Sequence, residues 1–306
     1  MKISEVPVPP ADLLGRVSVA SGTLAEREAD FVRGGVDRHD AICAALPPDW
    51  TFEGKAILDF GCGPGRVLPH FRAEAETARS FQGCDIDAES ITWLSESLPP
   101  PFKVFLNKED PPLPLPDASL DLIYATSVFT HLHDTWGAWI AELHRLLAPG
   151  GLLFMTYLGC DAFADRLIEG PWTEDDFGLT TLVQLRQSGT PSPVVLLSEW
   201  WIRAHLTRGF EVLSLQPEGF GTRPGRPGRG QGMLVLRRNG SPKSADEWLA
   251  PDPDDPREWK SAQFNLMLLR RVIWSVVDQA TSERRTESTA DARASYAARL
   301  RRRLSK

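Results

Sequence analysis

Residues 56–71 read AILDFGCGPGRVLPHF. An apolar run ends in an acid, Asp59, and Gly61, Gly63 and Gly65 follow at alternate positions. A glycine turn after a strand often cradles phosphate. A dinucleotide fingerprint has the form G-x-G-x-x-G, with the third glycine allowing close helix–strand packing. Here the third position is Arg66. Asp59 argues further against phosphate, because like charges ~4 Å apart repel by roughly 4 kcal/mol at an effective dielectric of about 20. The same carboxylate would attract an ammonium or sulfonium group. The turn therefore suits a cationic ligand whose backbone-hugging part is not phosphate. A second acid, Asp85, closes the next apolar run, SFQGCD. An acid at that place can accept hydrogen bonds from two ribose hydroxyls.

These residues need a strand, a tight turn, a helix and a second strand in that order. Strands are expected near 55–60 and 80–85. Between them, RVLPHFRAEAETA carries Val67, Leu68, Phe71 and Ala75 at helical spacing, with Pro69 tolerated in the first turn. Asp87 reads as the N-cap of the helix AESITWLSESL. Further strands are expected near 102–106, 120–126 and 150–157. The stretch 158–195 reads as an irregular insert, and inserts of that length are usually functional or mobile. SEWWIRAHLTRG reads as a helix with Ser198 as N-cap and Gly209 as stop. FEVLSLQP and GMLVLRR read as an antiparallel pair, joined by the Gly/Pro/Arg loop 221–230, which reads as solvated. Residues 1–54 read as mostly helical, with DRHDAICAAL the clearest stretch.

Composition narrows the function. At 306 residues and 42% hydrophobic the chain can bury a full core, and its net charge of −7 disfavours nonspecific nucleic-acid binding. No stretch approaches the ~18 apolar residues of a membrane helix. The start, MKISEVPVPPADLLG, has no apolar signal-peptide region, so a cytoplasmic protein is expected. Cys43, Cys62, Cys84 and Cys160 lie far apart with no CxxC pair, which argues against zinc or a disulfide framework and for buried free thiols.

Taken in order, ILDFGCGPGR, GCDID, the stretch from Pro111 to Leu132 and WIAELHRLLAPGGLLFMT resemble the motifs of the class I S-adenosylmethionine-dependent methyltransferases. The resemblance covers roughly residues 56–238. The SVFTHL variant is similar to a subgroup associated with glycan or cell-surface biosynthesis. The resemblance implies an α/β fold, a Rossmann-like seven-stranded sheet with helices on both faces, here with a C-terminal helical extension. The chain reads as an N-terminal helical lid (1–54), a methyltransferase domain (55–240) and, outside the resemblance, a linker with a helical extension (241–306). The resemblance also implies S-adenosylmethionine as cofactor. Asp59, Gly61, Cys62 and Gly63 would hold its methionine end, Asp85 the ribose, and Ile86 an adenine face. Asn107 or Glu109 would meet the adenine edge, and Thr126 and Ser127 would border the sulfonium. Ser127 reads equally as a capping hydroxyl. Phe31 or His39 could face the cofactor from the lid. The family pattern leads one to expect Gln-Asp where this chain has Gln231-Gly232.

Methyl transfer needs positioning above all, and an alcohol acceptor adds the need for a base, worth roughly 10²–10⁴ in rate. His131, just beyond the fourth strand, is the first candidate, with His133 and Asp134 next. A substrate-orienting or purely structural role for His131 stays open. His144 reads as a surface residue. No acidic cluster argues for catalytic Mg²⁺, so metal-independent transfer is expected. Trp136, Trp172, Trp200 and Trp201 could line an acceptor pocket for a sugar or aromatic ring, with core packing the alternative. The reading is a small-molecule or glycan methyltransferase acting at a hydroxyl. A methyltransferase of RNA or protein, and a non-catalytic binding protein on this scaffold, are the alternatives.

The extension begins with a proline- and acid-rich linker, 241–259. A helix follows in which Ala262, Leu266, Leu269, Ile273, Val276 and Ala280 form a coiled-coil-like seam, widened by Phe264, Leu268 and Val272. So wide a stripe must pack back on its own domain or pair with another chain, and a homodimer through this helix is expected. The tail from Glu283 to Lys306 is basic and reads as a solvated end.

Overall fold

The computed structural model describes residues 6–17, 22–159, 173–185, 191–221, 230–274 and 277. Two helices come first, α1 (Ala11–Val17) and α2 (Leu24–Ala45), the second opened by a capping box between Thr23 and Glu26. The central sheet then begins with β1 (Ala56–Phe60), β2 (Ser80–Asp85), β3 (Phe102–Leu106), β4 (Leu120–Ala125) and β5 (Leu147–Tyr157), paired in parallel. The strands β8 (Phe210–Phe220) and β9 (Gln231–Arg238) complete it in the order β3-β2-β1-β4-β5-β9-β8, with β9 antiparallel to both neighbours. The strand order reverses between β1 and β4, and ligands of open α/β sheets sit at such a switch point, beyond the carboxyl ends of the strands.

Helices cover both faces. Between β1 and β2, Pro69 sits in the first positions of a 3-10 turn, Leu68–Phe71, and only then does α3 (Arg72–Thr77) begin. The single helix expected there is thus divided at its proline. Helix α4 (Ala88–Ser97) is capped by Asp87, whose carboxylate accepts from the Glu89 amide. Helix α5 (Trp136–Leu146) buries Trp136, Trp139, Ile140, Leu143 and Leu146 in the main core. Ser198 caps α6 (Glu199–Trp201), which runs on as a π-helical turn, Ile202–Leu206.

Several expectations are corrected. The insert 158–195 is not wholly irregular: β6 (Leu179–Leu185) and β7 (Pro191–Leu197) form an antiparallel pair of their own. This pair is anchored to the body where the Val195 amide donates to the Thr130 carbonyl at 2.8 Å. Trp136, Trp200 and Trp201 are core residues rather than a pocket rim. His144 is fully buried, held by the carbonyls of Gly209 and Asn239, each at 3.0 Å. The stretch expected to be a linker carries α7 (Ala245–Leu249), whose Trp248 is completely buried against α5.

Helix α8 (256–274) packs back on its own domain through one face of its stripe and leaves the other uncovered. Phe264 and Leu268 pack on Leu158, Phe177, Leu182, Val194 and Leu196, and the Gly178 amide donates to Ser261 Oγ at 2.8 Å. The seam residues Leu266, Leu269 and Ile273 stay exposed, at 58%, 55% and 52%. The flanking face, not the seam, is the one covered. Trp172, Cys160, Val276, Ala280, residues 222–229 and the tail lie outside the described residues. Among the described residues no helix is long and apolar enough to cross a membrane.

Candidate active site

Apart from Phe31 and His39, the residues singled out for the cofactor or for base catalysis border one cavity of about 870 Å³ at the carboxyl ends of β1, β2 and β4. The turn after β1 forms its floor. The amides of Gly61 and Cys62 both donate to the Cys84 carbonyl, at 2.8 and 3.0 Å, which folds the turn onto β2. Gly61 holds φ +78°, and a Cβ there would stand 2.3 Å from Val128 Cγ2, so both backbone and space require glycine. The Gly63 amide donates to Asp85 Oδ2 at 2.7 Å, and the Asp87 amide to Asp85 Oδ1 at 2.9 Å. Two backbone donors thus fix the Asp85 carboxylate against the turn.

Asp59 is 1% exposed. Neither of its oxygens has a hydrogen bond of good geometry, although the Tyr124 hydroxyl is near enough to draw its titration down. Burial pushes its pKa well above the ordinary carboxylate range, and the negative charge of Asp85 adds to that effect. Burial raises Asp85 as well, while the amides of Asp87 and Gly63 oppose the rise. A buried carboxylate without a well-formed hydrogen bond is costly to keep. It fits a ligand that brings a positive charge, and a phosphate would worsen it.

The opposite end of the cavity is apolar and amide-lined. Ile86 is 59% exposed there, an uncovered aliphatic face beside Asp85. Asn107 donates through Nδ2 to the Lys108 carbonyl at 2.7 Å, while its Oδ1 is buried without a partner. Glu109 contributes its backbone carbonyl to Trp139 Nε1 at 2.9 Å.

Ser127 follows Thr126 at the end of β4 with φ +61°, a strained value for a residue with a side chain. Its amide donates to Thr156 Oγ1 at 2.7 Å, and its hydroxyl pairs with the Gln231 side chain, 3.0 Å from Nε2. The neighbour of Gln231 is glycine for a steric reason. A Cβ on Gly232 would lie 2.5 Å from the Tyr157 ring and 2.9 Å from the Gln216 carbonyl. The missing family acid has no room here.

His131 and His133 both border the cavity. His131 Nδ1 lies 3.1 Å from the Pro193 carbonyl on β7. A carbonyl only accepts, so Nδ1 carries the proton and Nε2 of the neutral ring keeps its lone pair. His133 instead pairs with exposed Asp134 through Nδ1, at 2.7 Å.

The N-terminal helices supply part of the wall, though not through the residues expected. Phe31 is buried between α1 and α2 with Leu14 and Val32, and His39 faces α3. Arg16, Val17 and Arg38 reach the cavity instead. Arg16 is clamped by Asp87, at 2.6 Å, and by Glu89, and Arg66 donates to the Val17 carbonyl at 2.7 Å. Arg16 and Arg38 carried no signal in the sequence, since their placement depends on how α1 and α2 lie across the glycine turn.

Residues 58–155 match a methyltransferase domain family. A probable S-adenosylmethionine-dependent methyltransferase of Mycolicibacterium smegmatis is 31% identical over 119 residues, covering 39% of this chain and 43% of that one. A malonyl-[acyl-carrier protein] O-methyltransferase of Erwinia billingiae is 26% identical over 193 residues, covering 60% and 72%. Against several such relatives the match spans about half of their length, 43%, 47% and 50%. The solved structure of phosphoethanolamine N-methyltransferase 1 of Haemonchus contortus has the same fold, with a TM-score of 0.51 at 16% identity, covering 72% of this chain and 46% of that one.

Proposed function

We propose that this chain, a member of the class I S-adenosylmethionine-dependent methyltransferases, methylates a hydroxyl group of a small-molecule or glycan acceptor. The observation that carries the reading is the buried Asp59 carboxylate, neither oxygen in a hydrogen bond of good geometry, at the head of a glycine turn whose amide also fixes Asp85. When bound, the family's cofactor supplies an electrophilic methyl group on a sulfonium centre.

The chain's own residues do the rest. Asp59 and the backbone of Gly61, Cys62 and Gly63 bind the charged methionine end, and Asp85 accepts from the ribose hydroxyls. Ile86 covers one adenine face. The unpartnered Oδ1 favours Asn107 over Glu109 for the adenine amine. Thr126 and Ser127 line the approach to the acceptor. His131, with its Nδ1 proton held by the Pro193 carbonyl, takes the acceptor's hydroxyl proton at Nε2. His133 is the weaker candidate, because the group orienting it, Asp134, is itself exposed to solvent rather than fixed in the fold. Helices α1 and α2 act as a lid that shields the cofactor, with 55–240 as the methyltransferase domain and α7 and α8 as its extension. A cytoplasmic site and a homodimer through the exposed seam of α8 complete the reading.

Relatives named as a malonyl-[acyl-carrier protein] O-methyltransferase, a 27-O-demethylrifamycin SV methyltransferase and a fatty-acid O-methyltransferase support oxygen as the accepting atom. The test is incubation with S-adenosylmethionine and a panel of hydroxylated small molecules and glycans, read by mass spectrometry. A methyl ether on at least one member is expected. Transfer confined to RNA or to protein would overturn the acceptor class.

A further inference from the structure

We propose that His39, Cys43 and Glu74 form a binding site for a divalent metal ion of the zinc type, placed where α2 packs on α3 and separate from the methyl-transfer cavity. His39 and Cys43 are four residues apart on α2 and so share one helical face. Glu74 approaches them from the first turn of α3. His39 Nε2 is 3.1 Å from Glu74 Oε1 and 3.7 Å from Cys43 Sγ, and all three ligating atoms lie within 4.8 Å of one another. Zinc bonds of about 2.0–2.3 Å in a tetrahedral array set neighbouring ligand atoms roughly 3.3–3.6 Å apart. The two His39 spacings fall within a few tenths of an ångström of that range.

The surroundings agree with the ligands. His39 Nδ1 is 2.8 Å from Asp40 Oδ1, so the imidazole is oriented by a carboxylate on its far nitrogen, as metal-binding histidines usually are. Glu74 Oε2 is buried and has no partner. The side chains of His39 and Glu74 are 19% and 22% exposed, which leaves an entry path and room for a fourth ligand from solvent. A thiolate, an imidazole and one carboxylate favour zinc and similar ions over magnesium or calcium.

Burial lowers the His39 pKa, but hydrogen bonds with Cys43, Glu74 and Asp40 outweigh it and raise it to about 10. The ion would tie α2 to the body of the domain one residue from Arg38, which borders the cavity. A search for CxxC spacing misses this group, because its ligands are a helical pair and a residue from the next helix.

The full chain, reduced and freed of metal with a chelator, is titrated with Co²⁺. One equivalent should bring up a thiolate-to-cobalt charge-transfer band with the strong visible bands of a tetrahedral site, and Zn²⁺ should displace it. Cys43→Ser should abolish the charge-transfer band, and Glu74→Gln should weaken binding at least tenfold, with circular dichroism showing each variant folded. Thermal unfolding of the wild type should shift upward with Zn²⁺, and that of Cys43→Ser should not. Absence of the band in folded wild type, or a band that survives Cys43→Ser, would overturn the proposal.

Discussion

Replacing Asp59 with Asn separates the cost of the site from its use. Both carboxylate oxygens lie buried without a hydrogen bond of good geometry. A buried polar group left in that state costs about 1–3 kcal/mol, and more when charged. Asn keeps the shape, removes the charge and can donate to the Tyr124 hydroxyl. The ligand-free variant should therefore be more stable by about 1–3 kcal/mol, with Tm rising by roughly 2–4 °C for each kcal/mol. The pH dependence gives a second signature. Burial raises the folded-state pKa above the unfolded value of about 3.9, so the native chain holds this proton more tightly. Stability contributed by the protonated form is then lost as pH rises from about 3.9 through the folded value. That slope should be shallower in the Asn variant. Binding should move the other way. Loss of a charged acceptor costs about 1.5–3 kcal/mol, so S-adenosylmethionine should bind roughly 10- to 150-fold more weakly. Chemical denaturation at several pH values and calorimetric titration measure both effects. A variant less stable than wild type, or one that binds the cofactor equally well, would refute the reasoning.

Other expectations follow from the same geometry. His131→Ala should lower kcat by roughly 10²–10⁴ and leave cofactor affinity nearly unchanged; an unchanged kcat in steady-state kinetics would return His131 to a structural role. Trp248→Ala should destabilise the fold by about 3–5 kcal/mol in denaturant titration, because the indole is completely buried between α5 and the β8 edge residue Phe210; a loss below 1 kcal/mol would show that α7 is dispensable. Ile273→Glu lies on the exposed seam of α8 and should convert a dimer to monomer in light scattering without lowering Tm; a wild-type chain that is already monomeric at micromolar concentration removes the pairing role.

The unit from β1 to Asp85 was legible because its signals are local and consecutive. An apolar run, an acid, a turn that tolerates only glycine and a second acid each constrain the next. Helix α5 and β5 were legible for the same reason. What escaped the sequence depends on distant partners. Trp248 sits among prolines and acids that read as a linker, yet the cavity between α5 and Phe210 draws it in. The pair β6–β7 is stabilised by α8 covering one face and by the Thr130 carbonyl, neither of which is written in residues 179–197. Arg16 and Arg38 lie on helices whose local pattern says nothing about a ligand. His144 looks like a surface position on α5 until β8 and β9 close over it with two carbonyls. The glycine at 232 fits a space closed by the Tyr157 ring and the Gln216 carbonyl, which only the fold brings there.

The central claim is that the cavity beyond β1, β2 and β4 is built for a cationic nucleoside and not for a dinucleotide. Calorimetric titration of the full chain with S-adenosylmethionine, S-adenosylhomocysteine and NAD tests it most directly. The account predicts one site per chain for S-adenosylmethionine, weakened by about 1.5–3 kcal/mol in Asp85→Ala, and no measurable heat with NAD. NAD binding as tight as S-adenosylmethionine, or an Asp85→Ala variant that binds like wild type, would contradict it.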